Sequence, residues 1–324
     1  CSEAGITQAK GRSADGLGAL ELTDPSCPSA SEVGSVTAGS GAGPSPLHIG
    51  GHAYLAGPYA GAPLSLLIVT PAIAGPFDLG VVAVRTALRV DETTAQVTAV
   101  SDPIPTILHG LPLDVRSVAV QLDRPNFTLN PTSCEPKSIV GEVTSTLGQI
   151  APLSQYFQAR DCGALGFNPK LALQMKGGVK RTAHPALKAT LTYPSGAYAN
   201  IARAAVTLPA AYIIDNAHIS NPCTRVQFNQ GACPAKSVLG TATATSPLLD
   251  QPLSGPVYFR SNGGEHPLPD IVADLRGQIH VVVVGDVDSL KVGREVSRIR
   301  TTFAHVPDAP VSRFTLSLFG GKRG

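Results

Sequence analysis

Cysteine is the residue type with most chemistry to offer here, since thiolates attack, bind metals and oxidise. The chain has 324 residues and six cysteines: Cys1, Cys27, Cys134, Cys162, Cys223 and Cys233. Three of them open one phrase: Cys27-Pro-Ser-Ala-Ser31-Glu-Val-Gly34, Cys134-Glu-Pro-Lys-Ser138-Ile-Val-Gly141 and Cys233-Pro-Ala-Lys-Ser237-Val-Leu-Gly240. Ser follows Cys by four residues and Gly by seven in each. No Cys-x-x-Cys pair occurs and the surroundings are small or apolar, so a reactive thiol or metal ribbon is not indicated. An even set reads as disulfides, and proximity pairs Cys1 with Cys27, Cys134 with Cys162 and Cys223 with Cys233. A lipid on Cys1 is the alternative, but it would orphan Cys27. Within the phrase, Pro fixes φ, Ser caps a short turn, and Gly supplies a free φ before the next strand.

Other residues with chemical potential fare less well. His48 and His52 are four apart, but Gly50-Gly51 between them disfavours a zinc-binding helix, and no third ligand is evident. Asp286 and Asp288 offer carboxylates to calcium, yet the segment lacks the oxygen-rich loop such a site needs, and it reads as a hairpin turn. Gly39-Ser40-Gly41 is not a nucleophile elbow, and no Gly-x-Ser-x-Gly occurs. Catalytic, cofactor-binding and metal-binding residues are therefore expected to be none. Asn126-Phe-Thr128 matches the glycosylation triplet.

Elements that would position these residues are short strands. The chain holds 33 glycines and 28 prolines, no Trp and one Met, and charged residues are only 15%. Val, Thr, Leu, Ala and Ile fall in short runs between turn formers. Strands are expected at 64–69, 81–90, 96–100, 116–122, 171–175, 187–193, 202–208, 238–245, 256–260, 271–275, 279–284, 298–304 and 313–319. Residues 1–26 read as an irregular lead-in, and 209–214 as a short helix opened by Pro. The repeats continue past the phrase as Pro46-Leu47 to Tyr54, Pro152-Leu153 to Tyr156, and Pro252-Leu253 to Tyr258. Each series closes on a β-rich run before Pro: 118–122, 205–208 and 302–306. These tyrosines fit core or corner positions better than a sugar-stacking platform.

A period of about 100 residues implies modules in series. The expected fold is all-β: about three tandem immunoglobulin-like β-sandwich modules, disulfide-pinned, at 1–133, 134–222 and 223–324. Net charge is +2, with no basic stripe. The densest basic stretch, Lys176 to Arg181, reads as a solvated hairpin, so nucleic acid is excluded as a partner. No apolar run reaches the ~20 residues of a membrane span. Paired cysteines point to an oxidising compartment, hence a secreted or cell-surface protein.

The phrase, together with Gly255-Pro-Val-Tyr-Phe259, Leu268-Pro-Asp-Ile-Val272 and Pro307-Asp-Ala-Pro-Val-Ser-Arg-Phe-Thr-Leu-Ser-Leu-Phe-Gly-Gly-Lys-Arg323, resembles large exported repeat proteins of actinobacteria. The resemblance covers about 27–324 and implies export, serial modules and cysteine pairs, with no catalytic residues to carry over. In that family a further strand ending in Cys follows the Gly-Gly-Lys stretch, so the chain reads as a fragment. The expected function is non-enzymatic: part of a surface assembly whose partners are other copies or other surface proteins. A glycan- or peptide-binding ectodomain and a secreted hydrolase with a site between modules are the alternatives.

Overall fold

The computed structural model describes residues 1–178, 180, 183–194, 196–209, 220–292 and 296–321. Strands make up 48% of the chain and helices 11%, and the fold is all-β. It divides into two compact units, one of residues 1–91 and 96–129, the other of 92–95 and 130–324.

The first unit opens with helix α1 (Glu3–Asp15), followed by α2 (Gly18–Thr23). This corrects the expected irregular lead-in. Ser2 caps α1 by accepting from the Gly5 amide at 3.3 Å, and Gly16 ends it in the left-handed region at φ 66°. The helix is held by burial of Ile6 and Ala9 in a core with Cys27, Tyr54, Leu67, Val69 and Val81. Its apolar stripe is only those small contacts, hence faint in sequence. The sheet is built from β1 (Glu32–Ser40), β2 (Leu47–Ala56), β3 (Leu64–Ala74), β4 (Phe77–Val90) and β5 (Val97–Ser101). A two-residue pair, β6 (Ile107–Leu108) with β7 (Leu111–Pro112), precedes β8 (Val115–Gln121). The sheet order is β5-β4-β3-β2-β1-β8, antiparallel throughout.

The second unit contains β9 (Lys137–Thr144), β10 (Ile150–Phe157), β11 (Lys170–Lys176), β12 (Ala186–Thr192) and β13 (Ala204–Thr207). After helix α3 (Arg225–Asn229) come β14 (Val238–Thr245), β15 (Leu253–Arg260), β16 (Asp270–Arg276), β17 (His280–Val292), β18 (Val296–Phe303) and β19 (Arg313–Leu318). Nine strands form one sheet in the order β11-β12-β19-β14-β15-β16-β17-β18-β13, while β9 and β10 form a sheet of two. Ala242, Leu253, Val257, Ala273, Leu275 and Val281 make its core. Residues 134–222 thus divide their strands between a hairpin and both margins of the larger sheet.

The inner run β18-β17-β16-β15-β14-β19 repeats the strand order of the first unit, with β14 in the place of β1 and β19 in the place of β8. The counterpart of the 118–122 run is therefore 313–318. Of the 302–306 run expected in that role, only Thr302 and Phe303 belong to a strand, the end of β18, which pairs with β13 and β17. Asp286 and Asp288 sit inside the long strand β17 and not in the expected hairpin turn. Val287 between them is fully buried, and that burial carries the strand through. Residues 210–214 of the expected helix, and Val179 and Arg181 of the basic stretch, lie outside the described residues.

Disulfides join Cys1 to Cys27, Cys134 to Cys162 and Cys223 to Cys233, the pairs that proximity picks out. No helix among the described residues is long and apolar enough to cross a membrane.

Candidate functional site

The repeated phrase builds a seat for a strand. In the first and third copies a 3₁₀ turn follows the Cys-Pro pair, and its serine closes it. Ser31 Oγ donates to the Pro28 carbonyl and Ser237 Oγ to the Pro234 carbonyl, both at 2.7 Å. A β-bulge comes next. Glu32 faces Tyr54 while Gly34 faces Ala53, and Val238 faces Tyr258 while Gly240 faces Val257. The bulge turns the strand at the glycine. There the neighbouring strand crosses so closely that a Cβ on Gly34 would stand 2.0 Å from the Gln121 carbonyl oxygen. A Cβ on Gly240 would stand 2.0 Å from the Ser317 carbonyl oxygen. Neither glycine has a left-handed φ. The residue is glycine because a backbone lies on it, which corrects the free-φ reading of the phrase.

The middle copy has the same spacing and a different setting. Its strand β9 pairs with β10 without a bulge, Ser138 facing Tyr156 and Gly141 facing Leu153. A Cβ on Gly141 would meet nothing within 4 Å. The tyrosines register the difference: Tyr54 is 2% exposed in the core, and burial, then Glu32 and Glu21, push its hydroxyl up to about 12. Tyr258 is half-buried against Phe228. Tyr156 is 60% exposed, with Ile139 at 66% and Val140 at 68%.

Edges elsewhere are equally bare. Val97 and Val100 on β5, Val118 and Val120 on β8, and Leu171 and Leu173 on β11 are all exposed, and each strand is the last in its sheet. Natural edge strands are commonly blunted by charge or proline. Here β5 carries no charged residue, and β10, although it contains Pro152, carries none either.

Residues weighed for other chemistry do not converge. His48 and His52 both lie exposed on β2; His52 Nδ1 pairs with Glu32 Oε1 at 2.7 Å. Among the described residues no group of three or more His, Cys, Asp or Glu is placed to hold a metal ion. Ser40 Oγ donates to the Leu113 carbonyl. Asn126 lies exposed in a loop at φ 61°. A shallow cleft of about 500 Å³ beside the first seat is lined by Ser29, Glu32, Arg124 and neighbours. Its guanidinium is already spent on the Ala30 and Glu32 carbonyls, each at 2.7 Å.

Sequence reasoning missed the buried charges. Arg12 pairs with Glu21, both nearly inaccessible, and Glu21 also accepts from the Ser26 amide at 2.9 Å and hydroxyl at 2.5 Å. Arg85 reaches Glu3 at 2.7 Å and stacks 4.3 Å over the Tyr59 ring. In the second unit Arg260 pairs with Asp270 at 3.3 Å; burial raises the Asp270 carboxyl despite the opposing pull of Arg260. His280 is held between Asp274 at 2.5 Å and Glu92 at 2.8 Å, so both imidazole nitrogens are engaged. These sets fasten elements together, and a lone Arg or Glu in sequence carries no sign of burial. No family model, curated protein or solved structure matches this chain.

Proposed function

We propose that this chain is a non-enzymatic structural protein of an extracellular or cell-surface assembly, held to other copies by sheet-edge pairing. The observation that carries the reading is the exposure of large apolar side chains on the edge strands β5, β8 and β11 and on the β9–β10 pair. Monomeric soluble proteins rarely leave contiguous apolar surface open, and such patches mark association sites. Addition of a strand to an open edge gives affinity through main-chain hydrogen bonds and specificity through alternate side chains. Three disulfides suit an oxidising compartment. The Arg12–Glu21 and His280 clusters support the same reading, because they are paired with neighbouring elements instead of facing an open cleft.

Sedimentation velocity of the oxidised chain over a wide concentration range tests this. Association that grows with concentration is expected. A chain that stays monomeric throughout would overturn the proposal.

A further inference from the structure

The middle copy of the phrase also differs from the others in what surrounds its disulfide. Cys27 is 1% exposed in the core of the first unit, and Cys1 packs against that core with its amino group tied to the Leu55 carbonyl. Cys223 is fully buried beside β15: its amide donates to the Phe259 carbonyl and its carbonyl accepts from the Ser261 amide, both at 2.8 Å. Helix α3, with a Thr224–Gln227 capping box, orders the segment between Cys223 and Cys233. Cys134 and Cys162 are both only half-buried, and their bridge closes the open end of the β9–β10 pair. Those two strands pair with each other alone. Every residue in them is exposed except Lys137 and Phe157, which face each other at that end. None of their side chains belongs to the buried clusters of the described residues. A two-stranded hairpin without packing is marginally stable in water.

We infer that the Cys134–Cys162 disulfide is a redox latch: a dithiol reductant opens it ahead of the other two, and β9 and β10 then melt while both larger sheets stand. Around Cys27 and Cys223, packing and ladder bonds keep the partners together whether or not the sulfurs are joined, so those thiols reclose. Around Cys134 the bridge itself holds the fold, and exposed disulfides are the labile ones. In the exchange, one thiolate of the dithiol attacks Cys162 Sγ and expels Cys134 as a thiolate. The Cys162 amide, which donates to Cys134 Sγ at 3.2 Å, stabilises that leaving group. The second thiol of the reductant then closes on the first and releases Cys162. Two electrons and two protons pass to the protein, and the dithiol becomes a disulfide. Melting has built-in limits. Thr132 Oγ1 donates to Asp308 at 3.0 Å and accepts from the Asn200 amide at 2.8 Å, and Gly166 is bonded to Ala197 and Ala199. The released stretch hangs between those two ties and opens as a local unit. The latch does not depend on whether copies associate. Its consequence does rest on the function proposed above: with the latch open, Ile139, Val140, Ile150 and Leu153 are no longer presented in register. Association through this surface then waits for an oxidising compartment.

The test titrates the oxidised chain with dithiothreitol, alkylates the free thiols, and maps the labelled cysteines by mass spectrometry alongside amide hydrogen exchange. Cys134 and Cys162 should be labelled together at the lowest dithiol concentration. Exchange protection should be lost over 137–157 and kept in β1–β4 and β14–β17. The double variant Cys134→Ser with Cys162→Ser, under oxidising conditions, should show the same exchange pattern and the parent's thermal unfolding of the larger sheets. Another pair opening first, all three opening together, or a hairpin still protected after labelling would overturn the latch. So would a double variant that loses the larger sheets. In sedimentation velocity the double variant should associate less than the parent at equal concentration. Equal association would overturn the consequence while leaving the latch and edge pairing standing. A monomeric parent would overturn edge pairing and leave the latch.

Discussion

Gly34 and Gly240 are the residues on which both complete sheets turn. A methyl group there would sit 2.0 Å from a carbonyl oxygen of the closing strand, so the strand must withdraw or the bulge must open. Overpacking of this kind costs ~1–3 kcal/mol where side chains yield, and here the obstacle is backbone. Gly34→Ala and Gly240→Ala should each lower stability by at least ~3 kcal/mol in denaturant titrations. Gly141→Ala should stay within ~0.5 kcal/mol, as surface substitutions do. Equal losses at all three positions would remove the distinction between filled and open seats. The position of these glycines was legible from the repeat alone, but their reason was not. Close approach belongs to a strand about 80 residues further on, so local sequence offers φ as the only visible explanation.

Among the elements, most strands were legible because period-2 apolar runs bounded by Gly and Pro leave few other readings. Strand β14 was expected at 238–245 and occupies those residues. Strand β17 was cut short at Gly285-Asp286, where local turn chemistry outweighed the unseen burial of Val287. Helix α1 was missed for a related reason. Its segment lies in the Gly-, Ala- and Ser-rich stretch 1–26, and its stability lies in tertiary contacts: Ile6 and Ala9 in the core, Arg12 on Glu21, Glu3 on Arg85. Glu21→Ala would leave the Arg12 guanidinium buried with only Asp24 as a charged partner. Breaking a buried pair in this way costs about 3–5 kcal/mol. The expected outcome is a lowered melting temperature with loss of helical ellipticity at 222 nm. Unchanged melting would show that α1 is held without the pair.

For the whole molecule, pH dependence follows from where carboxylates are held. Asp308 accepts from Thr132 Oγ1 at 3.0 Å and Asn200 Nδ2 at 2.9 Å, joining three distant stretches of the second unit. Burial pushes its carboxyl up, but these hydrogen bonds prevail and hold it below the usual carboxylate value. A depressed folded-state pKa gives stability that is present above the unfolded value, ~3.9, and is lost as pH falls through the folded one. Asp270 has the opposite sign: raised by burial, it favours the fold most when protonated, and that part is lost as pH rises through its folded pKa. Asp308→Asn should therefore flatten the acid limb of a stability–pH curve below about pH 4. A limb as steep as the parent's would assign acid sensitivity to other groups.

Two sheets with one strand order also pose a problem of folding accuracy. The seats at Gly34 and Gly240 ask for the same pattern, so β8 and β19 are interchangeable partners to a chain that has not yet folded. Entropy discriminates weakly between them, because each doubling of loop length costs only ~0.6 kcal/mol. Synthesis supplies the missing discrimination: residue 121 leaves the ribosome well before residue 238 exists, so β1 meets β8 with no competitor present. Refolding from denaturant removes that head start. Crossed pairings should then compete, and they would appear as a slow refolding population that the freshly made protein never visits.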